Sequence, residues 1–369
     1  MDSRPVFLTV FPDARNVHLG KDVGVIPFLF HRNYGYRSIL LTRDNGPYPL
    51  LDSDASGLEI EFIDSGRAGH PDRVKKALLD YIKKNAKAIN ILNLYDISGF
   101  GLKLINAYKN RNRHGKVYVK LDRGINYSYS KNPIKMARER IIELGYRKSA
   151  FISIESTLAK KFFNEHTFLD PVYVPNGFLG DVNADTKKEK TILFVGDLSV
   201  HPKRLDIVFE AFITLCEKKD SSFNLRLVGP TLPDFPELWA RASRSATLAS
   251  RTRICGPIYD KTELEREYRS ASVIVLASDH ESFGIVLVEA MRFGCLPVVS
   301  SGVSSAIDVT DNGRIGRIFE KGSADSLHSA LIEALDMLSP ETTRNIADFA
   351  QANFNWNTIV DKIHSGLSL

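Results

Sequence analysis

Two carboxylates eight positions apart, Glu281 and Glu289, lie in the segment HESFGIVLVEAMRFGCLP, residues 280–297. Behind Glu281 runs SVIVLA, Ser272 to Ala277, an uninterrupted apolar stretch that reads as a buried parallel strand. Ser282, Phe283 and Gly284 then open a predicted amphipathic helix whose apolar face is Ile285, Val288 and Met291, with Phe293 beyond. A strand that feeds a helix start through a Ser-Gly turn leaves backbone N–H groups, here those of Ser282, Phe283, Gly284, Ile285 and Val286, without intrahelical acceptors and open to a phosphate. Glu289 is expected two turns inside that helix, on the side of the loop, where it can accept hydrogen bonds from a ribose diol. A phosphate site flanked by two carboxylates points to a sugar nucleotide.

A lysine completes the group. Lys203 follows the glycine-ended run Phe194-Val195-Gly196 and is expected in the first turn of a helix beginning after Pro202. A cation there opposes the helix dipole by about 0.3–1 kcal/mol unless an anion shares the site. The plain alternative is a solvated surface lysine.

These residues need a scaffold. Residues 1–178 alternate β-rich runs (5–11, 37–42, 59–64, 89–95, 116–122, 150–155, 171–174) with helical patterns near 21–33, 71–87, 101–112, 132–147 and 156–166. Residues 179–190, LGDVNADTKKEK, are polar and aperiodic and read as a linker. The alternation restarts at Thr191, and a final segment, 346–369, closes the chain. Such βα alternation predicts parallel sheets covered on both faces, and two doubly wound halves suit a nucleotide at the carboxyl ends of the strands.

At 369 residues, 43% apolar and 25% charged, the chain has the composition of a two-domain globular protein. Cys216, Cys255 and Cys295 are widely separated and form no metal-ligand spacing, which reads as reduced, cytoplasmic thiols. No apolar run approaches the ~18 residues a membrane span needs. Net charge is +5, but residues 1–180 carry 28 Lys/Arg against 18 Asp/Glu and residues 181–369 carry 21 against 26. A basic front half is expected to meet something anionic. One expected contact is an anionic membrane surface. In the predicted helix 132–148, Ile134, Ala137, Ile141 and Leu144 are expected to face the core, leaving Lys131, Lys135, Arg138 and Ile142 outside.

The block around Glu281 and Glu289 resembles the Glu-x7-Glu signature of glycosyltransferase family 4, retaining enzymes of GT-B architecture. Glu289-Ala290-Met291 leads to Gly294-Cys295-Leu296-Pro297-Val298-Val299, as the family's helix leads to its next strand. Val174-Pro175-Asn176-Gly177 is similar to the turn that closes the family's first domain. Phe194-Val195-Gly196 with Lys203-Arg204-Leu205-Asp206 is similar to the second domain's first strand and its diphosphate-binding lysine. Leu225 to Gly229, Ile254-Cys255-Gly256 and Phe354-Asn355-Trp356 extend the likeness, which is strong over about 175–300 and weak over the first 170 residues.

The resemblance implies an α/β protein of GT-B fold, two Rossmann-like domains facing across a cleft, with the last helices crossing back to the first domain. It implies a metal-independent, retaining transferase with no cofactor, using a nucleotide sugar and a glycan or lipid-linked acceptor in surface polysaccharide or glycolipid assembly. Its catalytic positions fall on Glu281, Lys203 and, at the end of the strand 116–122, Asp122, where family members often carry histidine. Donor contacts fall on Gly20 in a loop of the first half, on Gly196 and Arg204, on the backbone of Ile254 and Gly256 for the base, and on the 282–286 amides with Glu289. One residue departs from the pattern: Asp197 stands where the family usually has arginine, so Arg204 or another cation must supply that charge. Asp52-Ser53-Asp54 has the form of a metal-binding DxD but sits in a turn-rich stretch and reads as a solvated turn. A nucleotide-sugar 2-epimerase of the same architecture and an inactive sugar-nucleotide-binding subunit are the alternatives.

Overall fold

The computed structural model of the chain describes residues 3–63, 70–124, 130–184, 187–218 and 222–368. They form two units, residues 1–155, 159–174 and 356–369 in the first, and 156–158 and 175–355 in the second.

The first unit is built on seven parallel strands: β1 (Val6–Val10), β2 (Arg37–Thr42), β3 (Glu59–Phe62), β4 (Ile89–Tyr95), β5 (Lys116–Leu121), β6 (Phe151–Ile154) and β7 (Val172–Tyr173). Their order is β3-β2-β1-β4-β5-β6-β7. Helices α1 (Asn16–Leu19), α2 (Asp22–Tyr34), α3 (Pro71–Asn85), α4 (Gly99–Lys109), α5 (Pro133–Tyr146) and α6 (Thr157–His166) connect them. Every residue of β2 after Arg37 is buried, as the strand's run of Ser, Ile, Leu, Leu and Thr requires when helices cover both faces. The helix starts are written locally: Ser98 Oγ accepts the Gly101 amide at 2.9 Å, and Asn132 Oδ1 accepts those of Ile134 and Lys135 at 3.0 and 3.1 Å.

The second unit repeats the plan with β8 (Glu189–Val195), β9 (Asn224–Val228), β10 (Thr252–Gly256), β11 (Ala271–Leu276), β12 (Leu296–Ser300) and β13 (Arg317–Phe319), again all parallel, in the order β10-β9-β8-β11-β12-β13. Its helices are α7 (Leu205–Lys218), α8 (Phe235–Ala242), α9 (Ala246–Arg251), α10 (Lys261–Ser270), α11 (Ile285–Met291), α12 (Ala306–Val309), α13 (Ala324–Asp336) and α14 (Pro340–Phe354). In both sheets the order reverses once, beside the first strand, and ligands of such sheets bind at the carboxyl ends of the strands flanking that point.

The segment 346–369 does not behave as one piece. Helix α14 stays with the second unit, where Phe354 O accepts the Phe178 amide at 2.9 Å. The last helix, α15 (Trp356–Gly366), belongs to the first: His364 stacks on Tyr34 of α2 at 3.8 Å, Tyr34 Oη donates to Asp361, and Trp356 is buried. The division therefore falls between Asn355 and Trp356, and the earlier one between Val174 and Pro175 rather than at 178.

One expectation about packing is reversed. The stripe Ile134, Ala137, Ile141 and Leu144 of α5 faces solvent, and the helix instead buries Glu143 and Tyr146, with Ile142 packed on the core. Tyr146 takes over because its hydroxyl donates to Ser98 O at 3.1 Å and accepts the Ser98 amide at 3.0 Å. Among the described residues no helix is long and apolar enough to cross a membrane.

Candidate functional site

In the second unit the order reverses between β8 and β11. The loop leaving β8 carries Gly196, Lys203 and Arg204, and the loop leaving β11 carries Glu281. The two loops are stitched together. The Asp279 amide donates to Pro202 O at 2.9 Å, Arg204 Nη1 meets Asp279 Oδ1 at 3.1 Å, and Lys203 Nζ donates to Glu281 Oε2 at 2.6 Å. Both side chains of the last pair are mostly buried, 20% and 25% exposed, so the pair is shielded yet reachable. Glu281 is held on its other side as well, its carbonyl accepting the Ser304 amide at 2.9 Å.

Lys203 lies outside helix α7, which begins two residues later at Leu205. The intervening Arg204 takes a left-handed conformation, φ 54°, with its amide bonded to Val200 O, which places Lys203 in the turn rather than in a first helical turn. Gly196 lies directly against the lysine: a Cβ there would be 3.6 Å from Lys203 Cε.

The sequence offers Arg204, or another cation, in place of the arginine missing at Asp197. Its guanidinium is instead committed to Asp206, through Nε and Nη2 at 3.0 Å each, and to Asp279, and these carboxylates hold its pKa raised. It braces the loops. Asp197 is exposed.

Helix α11 starts at Ile285, not at Ser282, and Gly284 is its N-cap in the left-handed region, φ 79°. The left-handed turn is what calls for glycine here; a Cβ would also come within 2.5 Å of Leu276 Cδ2, a side-chain end on β11. Phe283 is core, its ring edge-on to Phe354 and its carbonyl bonded to Ser305 Oγ, while Ser282, Ile285 and Val286 are half-buried. Leu287 is the first of these residues whose amide turns back, to Gly284 O at 3.0 Å; the amides before it have no intrahelical acceptor. Glu289 is the fifth residue of the helix, and its Oε2 accepts from Tyr268 Oη at 2.8 Å. Tyr268, buried on α10, carries no sequence signal for this role; burial and the Glu289 carboxylate raise its pKa well above the usual tyrosine value, so it stays a donor.

Ile254 and Gly256 end the edge strand β10. Gly256 has φ 71°, nothing lies within 4 Å of a Cβ built there, and its carbonyl accepts the Gly229 amide.

The first-unit candidates occupy the corresponding ends of its sheet. Gly20 is exposed after α1 in an ordinary right-handed conformation, and a side chain there would meet only van der Waals contacts, the nearest Leu50 Cδ1 at 3.7 Å. The fold needs its glycine at Gly24, where a Cβ would lie 2.4 Å from Leu19 Cα. Asp122, exposed at the end of β5, borders a buried cluster that sequence reading missed. Lys120 Nζ, fully buried, meets Glu155 Oε2 at 3.0 Å and Asp22 Oδ2 at 3.2 Å. Burial pushes the Glu155 carboxyl up to about 8 against the pull of Lys120, with Asp122 and Asp22 adding to the rise. These partners are 35 and 98 residues from Lys120 in sequence, beyond the reach of any local pattern. Asp52, Ser53 and Asp54 are exposed around a short 3-10 turn. No group of three or more His, Cys, Asp or Glu able to hold a metal occurs among the described residues.

Residues 180–352 match the family described as "Glycosyl transferases group 1". Phosphatidyl-myo-inositol mannosyltransferase of Mycobacterium leprae is 30% identical over 224 residues, 56% of each chain, and that of Propionibacterium freudenreichii is 28% identical over 239 residues, 61% of this chain and 58% of its relative. The chain thus spans somewhat more than half the length of these curated relatives. A glycosyltransferase from Rickettsia africae superposes with a TM-score of 0.74 at 17% identity, covering 99% of this chain and 98% of that one. Anabaena HepE in complex with UDP superposes with a TM-score of 0.72 at 16% identity, covering 99% of both. Residues 180–352, just under half of the chain, are thus similar to the group 1 glycosyl transferases, in keeping with the family 4 resemblance of its sequence, and over its whole length the chain carries the GT-B fold.

Proposed function

We propose that this protein is a retaining, metal-independent glycosyltransferase that moves a sugar from a nucleotide-diphosphate sugar to a glycan or lipid-linked acceptor. The observation that carries the reading is the Lys203–Glu281 pair, 2.6 Å apart on the two loops that leave the strands flanking the second unit's reversal point. A diphosphate lodged there gains the Lys203 cation and the first amides of α11, and Glu281 is left to hold a hydroxyl of the donor sugar. Glu289, oriented by Tyr268, takes the ribose, and the backbone at Ile254 to Gly256 takes the base.

In this reading the bond between anomeric carbon and diphosphate oxygen breaks with its electron pair going to the diphosphate, which Lys203 stabilises as charge develops. The acceptor oxygen bonds the same carbon on the face being vacated, and its proton passes to the departing diphosphate, so the configuration is retained without a protein nucleophile. Lys203 supplies a charge that a divalent ion supplies in other transferases. A lipid-linked acceptor is supported by the likeness to phosphatidyl-myo-inositol mannosyltransferases, and a uridine nucleotide by the likeness to HepE, solved with UDP.

The test is incubation with a panel of labelled UDP-, GDP-, ADP- and dTDP-sugars. Slow donor hydrolysis supports the transferase, release of a free epimer identifies an epimerase, and nucleotide binding without turnover identifies an inactive subunit.

A further inference from the structure

We propose that the solvent face of α5 docks on an anionic lipid bilayer, holding the first unit at the surface from which a lipid-linked acceptor is drawn; this deepens the acceptor reading above and rests on it. Ile134 is 81% exposed, Ile141 66%, Leu144 46% and Met136 38%, an unusual density of large apolar side chains on one fourteen-residue helix. At about 100° per residue, Ile134, Ala137, Ile141 and Leu144 fall within an arc of about 80°. Arg138 borders that arc on one side and Arg140 and Arg147 border it on the other, with Lys135 exposed in the first turn and Lys148 just past the helix end.

The acids of the helix decide the sign of the surface. Glu139 turns back to accept the Ser130 amide at 3.0 Å, and Glu143 is buried, accepting the Phe168 amide at 3.4 Å. The exposed face is therefore apolar and cationic with no carboxylate on it. Arg140 lies 4.8 Å over the ring of Phe168, itself 45% exposed, which widens the apolar strip. An apolar stripe edged by cations matches an anionic interface, where side chains enter the acyl boundary and arginines meet headgroup phosphates. A protein partner would need both an apolar groove and an acidic rim; a second copy of this helix would set cation against cation.

The test uses the full chain with vesicles of phosphatidylcholine alone and of phosphatidylcholine with phosphatidylglycerol, in flotation at low and at 1 M salt. Expected are binding to the anionic vesicles only, loss of that binding at 1 M salt, where screening shortens charge attraction to about 3 Å, and at least a tenfold drop for the exposed double substitution I134S/I141S. Charge reversal by K135E/R138E should remove the preference for anionic lipid while circular dichroism stays unchanged. Equal binding to neutral vesicles, indifference to salt, or full binding by I134S/I141S would overturn the proposal. So would a dimer in sedimentation that I134S/I141S dissolves without any vesicle binding by the parent. A thermal shift with UDP and GDP on the same samples separates the two readings: nucleotide binding without vesicle binding defeats the docking face alone, and vesicle binding without nucleotide binding defeats the donor site alone.

Discussion

Substituting Glu281 by glutamine should strengthen binding of a bare nucleoside diphosphate while weakening turnover. Without ligand, the Lys203 ammonium is engaged by Glu281 at 2.6 Å, in a setting where the two side chains are only 20% and 25% exposed. An arriving diphosphate must share that ammonium and tolerate the carboxylate beside it. Two like charges about 6 Å apart repel by some 3 kcal/mol at an effective dielectric near 20. Partial exposure and salt reduce this to about 1–2 kcal/mol, so Glu281→Gln should tighten the diphosphate roughly 5- to 30-fold. Lys203→Ala removes a charge-assisted hydrogen bond of about 1.5–3 kcal/mol and should weaken the same ligand roughly 10- to 150-fold. Turnover should fall in both: about a hundredfold in Lys203→Ala, which loses leaving-group stabilisation, and at least tenfold in Glu281→Gln, roughly the ~1.4 kcal/mol of one weakened sugar-hydroxyl contact. Calorimetric titration of UDP and GDP into the three proteins measures the affinities, and labelled donor hydrolysis measures the rates. If Glu281→Gln weakened the diphosphate as much as Lys203→Ala, the pair would be a structural brace and Glu281 would not compete with the diphosphate for the ammonium. Unchanged affinity and rate in Lys203→Ala would reduce the lysine to a surface charge.

Three further outcomes follow from the geometry. Tyr268→Phe, which deletes the 2.8 Å hydrogen bond to Glu289, should weaken nucleotide binding by about 1 kcal/mol, roughly fivefold, with circular dichroism unchanged; equal affinities in a titration would remove Glu289 from the ribose site. Glu155 has its pKa raised to about 8, above its unfolded value, so the stability it contributes is complete at acid pH and is lost as pH rises toward about 8, at up to about 1.4 kcal/mol per pH unit. Melting temperature should therefore decline less between pH 6 and 8.5 in Glu155→Gln than in the parent, and parallel curves would place the titration elsewhere. Activity should persist in EDTA because Lys203 supplies the charge; loss on chelation with recovery on Mn²⁺ or Mg²⁺ would return the diphosphate to a metal ion and demote Lys203.

The strands were legible because burial on both faces writes itself as unbroken apolar runs: Arg37–Thr42 and Ile89–Tyr95 fall at the bounds the sequence predicts, and Ser272–Ala277 is displaced by a single residue. Helix α5 was legible as a helix but not in its orientation. Periodicity reports that an apolar stripe exists, and a stripe meant for the core reads the same as one left in solvent. Lys203 and Glu281 were legible as chemistry, but their contact was not, since it depends on two loops 78 residues apart being tied by Arg204 and Asp279. The partners of Arg204 were hidden for the same reason: a sequence gives the charge and hides the carboxylates, Asp206 and Asp279, that engage it. The short helices between β9 and β11 went unread, being six to ten residues long, too brief for a clear period.

The return of α15 to the first unit has a consequence for synthesis. A chain leaving the ribosome completes the strands of its first sheet by Tyr173, yet the helix that stacks His364 on Tyr34 and buries Trp356 emerges about 180 residues later, after the entire second unit. At some 5–20 residues per second, the α15-facing side of α2 stays bare for roughly 10–40 s. The first unit therefore begins to fold first and is finished last, and that interval is when its uncovered apolar surface is open to nascent-chain chaperones or to mispairing with a neighbouring chain.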